Sequence, residues 1–422
     1  MRWLVVLATV LTVLALPFTG RVLWVAYGPV SDDPLAQLRY LDAALDRGGA
    51  TTMQDLFPEG EFFTWVLSGV AAGRVAQDPD VSADDQAFAR DLAERALTAV
   101  DEPAVAGQFG QVPELEHGVF YRGWRLTLLN EIAAWDEAAA ARAAAEATAI
   151  LAAVDASATG WVDAYPGQAW PCDTVVALAA ATAADPQAAA PVVGRWLERT
   201  GDALDPATGL LAHQVDAAGR AVGGARGSSQ SIIATFWPQL VGPLVDQLVD
   251  PAASTAWTAY SETFVARRLG VVGTLEHADG GGAGDVDSGP LVLGLSASAS
   301  AVTQAAARAN GDTALADRLN RQIELIAVPW QTGDRRTYLF GQVPVAVAFF
   351  VWADTTPVGE PVSSTAPRPA WWALAGLPAL PAVAAWGALA LVAGRRRRHR
   401  PPGQAWPTPP GSQIPLADGR PG

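Results

Sequence analysis

The sequence predicts an all-α protein whose central domain is an (α/α)6 toroid of about twelve helices, flanked by an N-terminal and a C-terminal transmembrane helix. Three observations predict it. Alanine is very common and β-branched alternation is scarce, two uncharged apolar runs lie near the ends, and the helical stretches between them alternate in charge. The 422 residues, 50% of them hydrophobic, are enough for one large domain or two ordinary ones.

The first apolar run, residues 3–20, carries no charged residue, and it lies between Arg2 and Arg21. Such a run is typical of a signal-anchor helix or of a cleaved signal peptide. Because no clear cleavage site with small residues follows, we expect an uncleaved signal anchor or transmembrane helix over residues 1–27.

The second apolar run, residues 371–394, is long enough to span a bilayer, and Pro378 and Pro381 are expected to kink it. Five arginines follow it directly, at Arg395, Arg396, Arg397, Arg398 and Arg400. Positive charge favours the cytoplasmic side of a span, so we expect a cytoplasmic C-terminus. If both runs span the cell membrane, the large domain between them is extracytoplasmic.

Three further segments complete the predicted organisation. The toroid domain should occupy residues 30–353. Residues 354–370 are rich in Pro, Ser and Thr, which indicates a stiff linker between the domain and the membrane. Residues 395–422 are basic and then Pro-rich, which indicates a cytoplasmic tail whose last part is disordered.

The central domain contains twelve helical stretches. The odd-numbered stretches are predicted near 34–47, 83–99, 135–154, 187–200, 252–269 and 312–327. The even-numbered stretches are predicted near 61–76, 119–133, 170–184, 229–247, 290–309 and 339–353. Odd stretches carry charges on one face, as surface helices do, whereas most even stretches contain a long uncharged segment, which is typical of a helix buried in a large fold.

Exposed and buried helices that alternate six times predict two concentric rings, with the inner helices parallel to one another. The stretch near 119–133 departs from this pattern because it carries Arg122, Arg125 and Glu131. An irregular helical array or an open solenoid is the alternative arrangement.

Composition excludes several classes of function. The net charge is −15, so the surface should repel nucleic acid. Cys172 is the only cysteine, which excludes an internal disulfide and a paired-thiol redox motif. The chain has no lysine, which excludes Schiff-base chemistry and a P-loop lysine, and its four histidines lack metal-ligand spacing. We therefore expect neither a metal nor a cofactor.

In such a toroid, the leading ends of the inner helices meet at one mouth. The loops that enter the even stretches read EGE at 59–61, ELEH at 114–117 with YRGW at 121–124, DAYPGQAWPCD at 163–173, GGARGSSQ at 223–230, GDVDSGP at 284–290 and YLFGQ at 338–342. Their carboxylates, aromatic rings and arginine suit a polyhydroxylated or bulky apolar ligand.

Three aspartates are the candidate catalytic residues. Asp285 and Asp287 are two residues apart, so in an extended loop both side chains point the same way, and one is suited to be a general base that the other tunes. Asp173 is a second candidate carboxylate at the start of another inner helix. The alternative role for all three aspartates is helix capping. Glu59 and Glu61 are candidate site acids, but we favour the interpretation that they lie in a solvated loop.

Arg226, His117 and Cys172 are candidate binding residues. Arg226 is suited to hold a carboxylate or phosphate, or else to pair with a loop acid. His117, beside Glu116, is suited to shuttle protons, or else is a hydrogen-bonded loop residue. Cys172 is either a reactive thiolate at a helix N-terminus or a small buried apolar residue.

Three aromatic residues are further candidates for substrate binding. Tyr121 and Tyr165 are suited to orient a ligand, or else pack in the core with a bonded hydroxyl. Trp170 is suited to stack on a sugar face, or else belongs to the core.

Two loops carry a resemblance to known families. They are GDVDSGP at 284–290 and YPGQAWPCD at 165–173, and with the twelve-helix plan they resemble the six-hairpin glycosidase-like superfamily. That resemblance implies hydrolysis of a glycosidic bond by two carboxylates, here among Asp173, Asp285 and Asp287. No acid or base role follows for any one of them.

The tyrosine, cysteine and acid at the start of an inner helix are also similar to linalool dehydratase/isomerase. That similarity implies cofactor-free acid/base chemistry in which Tyr165 and Cys172 stand in for the family's residues. The single cysteine departs from a two-cysteine mechanism.

These observations predict a membrane-anchored extracytoplasmic enzyme that acts on a carbohydrate or glycoconjugate by carboxylate acid/base chemistry. One alternative is a non-catalytic envelope protein that binds a glycan or a partner. Another is a cofactor-free lyase or isomerase acting on terpenoid-like substrates. The expected partners are a carbohydrate or other bulky small molecule and the membrane, with no nucleic acid.

Overall fold

The computed structural model describes residues 2–29, 33–244 and 252–398, and most of them are helical, as predicted. Arg400 and the Pro-rich part of the predicted tail lie outside the described residues. The chain divides into two compact units. The large unit is Arg21–Leu374, and the small unit joins the residues up to Gly20 with those from Ala375 onward.

The helices and strands follow one another along the whole chain. In chain order the α-helices are α1 (Arg2–Tyr27), α2 (Pro34–Leu45), α3 (Gly49–Gln54), α4 (Gly60–Gln77), α5 (Ala83–Val100), α6 (Pro103–Ala106), α7 (Gly118–Ile132), α8 (Glu137–Ala156), α9 (Pro171–Ala184), α10 (Pro186–Arg199), α11 (Gly227–Val241), α12 (Ala252–Phe264), α13 (Ala297–Ala309), α14 (Thr313–Ile326), α15 (Pro344–Thr355), α16 (Trp371–Gly376) and α17 (Leu380–Arg398). The strands are β1 (Gln214–Val215), β2 (Ala221–Val222), β3 (Val265–Arg268), β4 (Val271–Leu275), β5 (Leu291–Val292), β6 (Leu295–Ser296), β7 (Trp330–Thr332) and β8 (Arg335–Thr337).

Six helices of the large unit contact one another in a closed order. Helix α4 contacts α7, and the contacts continue through α9, α11, α13 and α15 back to α4. These are the helices of the even-numbered stretches. The charged helices pack against them: α5 on α4, α8 on α7 and α9, α10 on α9, α12 on α11, α14 on α13, and α2 on α4 and α15. An uncharged helix has no solvated face, so it needs neighbours on all sides, which these contacts supply.

Aromatic side chains join helices that are not neighbours in this cycle. Trp124 of α7 lies 5.2 Å from Phe236 of α11 and 5.7 Å from Trp352 of α15, measured between ring centroids. All three rings are buried. Since α7, α11 and α15 are alternate helices of the cycle, its interior is packed at this level, with edge-to-face geometry between the indole of Trp124 and both partners.

Two predicted helical stretches are partly wrong. Residues 265–268, predicted as the end of a helix, form β3, which pairs antiparallel with β4 in the register Arg268↔Val271. Residues 291–296, predicted as the start of a helix, form the antiparallel pair β5 and β6. The four strands lie in the order β3-β4-β6-β5. These strands are short and lie next to long helical patterns, so periodicity alone did not separate them.

The predicted linker is bound to the large unit. Its first residues, Asp354 and Thr355, still belong to α15. Beyond them, the backbone N–H of Gly359 donates to the carbonyl of Arg308 at 2.9 Å, and Arg318 donates to the carbonyl of Ala366 at 2.9 Å. The segment therefore contacts the end of α13 and the middle of α14.

The small unit contains most of the two apolar segments. Arg2–Tyr27 and Trp371–Arg395 are each long and apolar enough to cross a membrane. The second segment contains a 3-10 turn, Leu377–Ala379, between α16 and α17, at the position of the predicted proline kink.

The two apolar segments of the small unit pack antiparallel. The indole N–H of Trp386 donates to the hydroxyl of Thr12 at 3.1 Å, and the hydroxyl of Thr19 donates to the carbonyl of Ala375 at 2.9 Å. Residues further along α1 thus meet residues earlier in the second segment.

Candidate functional site

A group of polar side chains gathers where several helices of the closed order α4, α7, α9, α11, α13 and α15 begin. Glu59 precedes α4, Asp173 lies in the first turn of α9, Arg226 precedes α11, and Asp285 and Asp287 lie in the loop between β4 and β5, ahead of α13. We call this group, together with Tyr165, Cys172, His213 and Glu276, the acid cluster. Ion pairs, hydrogen bonds and electrostatic interactions connect its members, as described below.

Asp173 is the most deeply buried of the predicted catalytic aspartates, with 8% of its surface exposed. Burial raises the pKa of its carboxyl group well above the usual value, and the charges of Asp287 and Glu59 raise it further. The thiol of Cys172 donates a hydrogen bond to Oδ1 of Asp173 at 3.5 Å. These surroundings favour the protonated form of Asp173, the form that can donate a proton.

Asp287 is accessible to solvent, and its surroundings disfavour the ionised form of its carboxyl group. Its side chain is 54% exposed, yet the surrounding protein removes enough water to raise its pKa to about 7, with additional contributions from Asp285, Glu59 and Glu276. A carboxyl group with this pKa exchanges its proton near neutral pH, as a general acid or base must.

Asp285 has the opposite character. Burial raises its pKa, but hydrogen bonds from Ser288 and the charge of Arg226 outweigh burial and leave the pKa below its usual value. Its Oδ1 accepts the backbone N–H groups of Asp287 at 3.1 Å and of Ser288 at 3.0 Å, while its Oδ2 forms an ion pair with Arg226. Asp285 is thus ionised, and it shapes the loop that carries Asp287.

The capping alternatives for these aspartates fail for α13. That helix begins at Ala297, and its N-cap is Ser296, whose hydroxyl accepts the N–H of Ala299. The two aspartates are therefore about ten residues away from the helix start predicted for them. At α9 the N-cap is Trp170 rather than Asp173.

Close backbone packing positions Arg226. The backbone N–H of Gly227 donates to the carbonyl of Glu276 at 2.9 Å. A Cβ atom on Gly227 would lie 1.9 Å from the carbonyl oxygen of Leu275, so only glycine fits. This contact fixes the start of α11 against the end of β4 and brings Arg226 to Asp285.

Sequence reasoning missed two members of the acid cluster. Glu276 is fully buried and accepts hydrogen bonds from the backbone N–H and the hydroxyl of Ser228, at 3.1 and 2.9 Å, which caps α11. Burial raises its pKa. His213 lies with its Nε2 3.9 Å from Oδ2 of Asp287, and burial together with Arg226 lowers its pKa to about 4, so it is neutral at pH 7.

Tyr165 connects the acid cluster to a group of aromatic side chains. We call this group the aromatic wall, and its members are Phe63, Phe120, Trp170 and Phe349. The hydroxyl of Tyr165 donates to Oε1 of Glu59 at 2.5 Å, so Glu59, which we interpreted as a solvated loop residue, belongs to the cluster. The ring of Tyr165 stacks on Phe120 at 6.2 Å and meets Trp170 edge-on at 5.8 Å. Burial and the neighbouring acids raise the pKa of Tyr165, which keeps its hydroxyl protonated.

Cys172 is part of the site as a neutral thiol. Burial and the adjacent Asp173 raise its pKa well above the usual value. A thiol in this state is a poor nucleophile, so the interpretation of Cys172 as a thiolate activated by a helix N-terminus is not supported. What the structure shows for Cys172 is a hydrogen bond from its thiol to the carboxyl group of Asp173.

His117 and Tyr121, predicted to lie with the other candidates, line a different cavity of about 390 Å³. We call it the arginine cavity, and its lining residues are Asp101, Ala106, His117, Tyr121, Arg122, Arg125 and Glu146. The hydroxyl of Tyr121 donates to the carbonyl of Val100 at 3.2 Å, and Nδ1 of His117 lies 3.2 Å from the carbonyl oxygen of Gly110. These two residues share that cavity with Arg122 and Arg125 of α7.

The balance of charge decides what the acid cluster can do. Five carboxyl groups, on Glu59, Asp173, Glu276, Asp285 and Asp287, share one arginine and one neutral histidine. Proton donors and acceptors of different pKa are therefore held side by side, which suits acid/base chemistry.

Among the residues described, no group of three or more His, Cys, Asp and Glu side chains is arranged to hold a metal ion. No protein-family model matches this chain, and a search among curated proteins finds no match either.

Proposed function

We propose that this chain is a membrane-anchored extracytoplasmic enzyme that acts on a carbohydrate or glycoconjugate, with Asp173 and Asp287 as its acid/base pair. The observation that carries the proposal is the pair of carboxyl groups with raised pKa in one cluster, the first buried and the second accessible. Groups of this kind occur where enzymes transfer protons near neutral pH.

In the proposed hydrolysis, the protonated Asp173 gives its proton to the oxygen of the leaving group as the glycosidic bond breaks. Asp287, in its ionised form, takes a proton from the attacking water. These are the two tasks that a pair of carboxyl groups performs in glycoside hydrolysis. Arg226 and Asp285 hold the loop of Asp287, and Trp170 offers an aromatic face for a sugar ring.

We further propose that the large unit is an (α/α)6 toroid of the six-hairpin kind. The closed order of contacts from α4 through α15 and back to α4 supports this arrangement, as does the packing of charged helices on that cycle. The cluster at the beginnings of α4, α9 and α11 is what a toroid with parallel inner helices would produce.

Antiparallel packing of the two apolar segments supports the proposed topology. It brings the start of α1 and the end of α17 to the same side of the pair. The arginines that follow residue 394 favour the cytoplasm for that side. The large unit would then lie outside.

A second candidate function is a cofactor-free lyase or isomerase acting on an apolar, terpenoid-like substrate. The aromatic wall favours it. Phe63 lies 5.4 Å from Phe120 and 5.3 Å from Phe349, and Phe120 stacks on Tyr165. Protonation of a substrate hydroxyl by Asp173 and removal of a proton by Asp287 would use the same pair for elimination of water.

The test is a turnover screen of the full chain in detergent, with oligosaccharides of defined linkage and terpenoid alcohols as separate panels. Asp173→Asn and Asp287→Asn should each lower the rate at least about 100-fold. Asp279→Asn, an exposed aspartate of the same loop, is the matched control and should leave the rate within about twofold.

The outcomes separate the hypotheses. Turnover in the oligosaccharide panel that depends on both aspartates supports hydrolysis, whereas turnover of a terpenoid alcohol with the same dependence supports the lyase or isomerase. Wild-type rates in both aspartate variants would overturn the acid/base pair. Oligosaccharide binding without turnover would leave only the non-catalytic alternative.

A further inference from the structure

One face of the large unit carries both segments that lead to the apolar helices. Tyr27, near the end of α1, and Trp372, at the start of α16, lie with their ring centroids 6.1 Å apart. Both rings are largely exposed, at 61% and 75%. Exposed tyrosine and tryptophan beside a membrane-spanning helix are typical of the interfacial layer of a bilayer.

Two further elements hold these segments. Arg321 of α14 donates to the carbonyls of Val25 and Gly28, at 2.8 and 2.9 Å. The backbone N–H of Ala370 donates to the carbonyl of Gly270 at 2.8 Å, which docks the β3–β4 hairpin on the residues just before α16. The tip of this hairpin therefore lies where the chain leaves the large unit.

The residue at that tip combines a left-handed backbone with an exposed apolar side chain, as Leu293 and Phe340 also do. What distinguishes Leu269 is its position beside the residues that lead into α16. The hairpin turns through two residues, Leu269 and Gly270, with φ of 45° and 89°. A turn with positive φ at both positions favours Asn-Gly, and the left-handed region is sterically unfavourable for leucine. Leu269 is also 78% exposed, so its side chain gains no burial within the protein that offsets this cost. A strained and exposed apolar residue indicates a function outside the fold.

Cations surround the tip. Arg267 and Arg368 are exposed, and Arg267 donates to the backbone carbonyl of Arg368 at 3.2 Å. Arg268 flanks the turn on the same strand. In a chain of net charge −15, three arginines beside one exposed leucine form a local positive patch. An apolar tip with a cationic rim is complementary to acyl chains beneath headgroup phosphates.

We propose that the β3–β4 hairpin docks on the bilayer, with Leu269 inserted into the interfacial layer and Arg267 and Arg368 on headgroup phosphates. The inference rests on the membrane anchoring of the proposed function. It adds a third contact between the large unit and the membrane, beside the two segments that lead to the apolar helices.

The test places a photo-crosslinking amino acid, benzoylphenylalanine, at position 269 of the full chain. The protein is reconstituted in vesicles of phosphatidylcholine and phosphatidylglycerol that carry an alkyne on the acyl chain, irradiated, and probed for crosslinked lipid. The matched control carries the same amino acid at Leu56, which is 62% exposed in the loop before α4. We expect crosslinked lipid at position 269 and none at position 56.

An alkaline carbonate wash of the vesicles separates the two levels of the proposal. A chain that stays in the pellet but crosslinks no lipid at position 269 overturns the docking and leaves the anchoring intact. A chain released by the wash overturns the anchoring and the docking together. Far-UV circular dichroism of both labelled chains checks that each has the helical content of the wild type.

Discussion

The acid cluster and the arginine cavity are both groups of charged side chains in the large unit, but they are balanced in opposite ways. In the arginine cavity, Arg122 and Arg125 share Glu146, and Arg125 also pairs with Asp101. Each acid there has at least one cationic partner. In the acid cluster, five carboxyl groups face Arg226 alone.

This difference in charge balance indicates a structural role for the arginine cavity and a functional role for the acid cluster. Paired charges are satisfied in one protonation state, so the arginine cavity has little to gain from proton exchange. Acids gathered without counter-charges cannot all ionise, and their pKa values spread, as those of Asp285 and Asp287 do. Local conflict of this kind is expected at functional sites and is costly elsewhere. We therefore expect the arginine cavity to stabilise the fold and the acid cluster to destabilise it.

The largest expected effect comes from breaking the arginine cavity. Glu146 is buried, and Glu146→Gln should lower the free energy of unfolding by about 3 kcal/mol, because it leaves Arg122 and Arg125 without their shared carboxylate. Thermal unfolding of the full chain in detergent, followed by tryptophan fluorescence, measures the change.

Asp155→Asn is the control for that variant. Asp155 lies on the same helix, α8, and pairs with Arg195, but both side chains are over 40% exposed. An exposed pair contributes little, so the melting temperature of this variant should stay close to that of the wild type. Equal losses in the two variants would show that the arginine cavity is no more structural than a surface ion pair.

A smaller effect of opposite sign is expected in the acid cluster. The pKa of Asp287 is about 7 in the folded protein and lower in the unfolded chain, so its contribution to stability is lost as the pH rises through 7. Asp287→Asn removes the unfavourable charge. After discounting for its exposed side chain, we expect a gain of about 1 kcal/mol, or roughly 3 °C, at pH 8. The gain should shrink to about a third at pH 5 and vanish below about pH 4, the pKa of the carboxyl group in the unfolded chain.

Asp285→Asn provides the contrast, two residues away in the same loop. Because hydrogen bonds and Arg226 lower the pKa of Asp285, its ionised form stabilises the fold above the unfolded pKa. This variant should lower the melting temperature at pH 8. If both variants shift the melting temperature in the same direction at pH 8, the two aspartates do not differ as their surroundings imply.

Much of this comparison could be predicted from the sequence. Uncharged stretches such as 174–184 predict buried helices, and residues that precede them predict a shared site, which brought out Asp173, Arg226, Asp285 and Asp287. Glu276 and His213 were missed because they lie in a strand end and a loop that belong to no helix start. Their positions depend on the sheet β3-β4-β6-β5, whose two Leu-Gly turns, at 269–270 and 293–294, lack the usual Asn-Gly signal.

His117 and Tyr121 were misplaced for a related reason. They lie at the start of a helix of the closed contact order, as the candidates of the acid cluster do, but α7 also carries Arg122 and Arg125 and therefore has a polar side. Tyr121 and Arg125 are four residues apart and share that side. The position of a residue in the sequence predicts the helix end at which it lies. The charged residues three or four positions away predict whether its side chain lies on the polar side of that helix.

The smallest expected effect tests whether the acid cluster contains any stabilising bond. Tyr165→Phe removes the hydroxyl that donates to Glu59, which should cost about 0.5 kcal/mol, because Glu59 is only partly buried. Combined with Glu59→Gln, the losses should fall short of their sum, because both changes break one interaction. Tyr121→Phe, whose hydroxyl donates to a backbone carbonyl, should instead add to Glu59→Gln. Additive losses for Tyr165 would mean that Glu59 belongs with the unpaired acids and that Tyr165 only packs against Phe120.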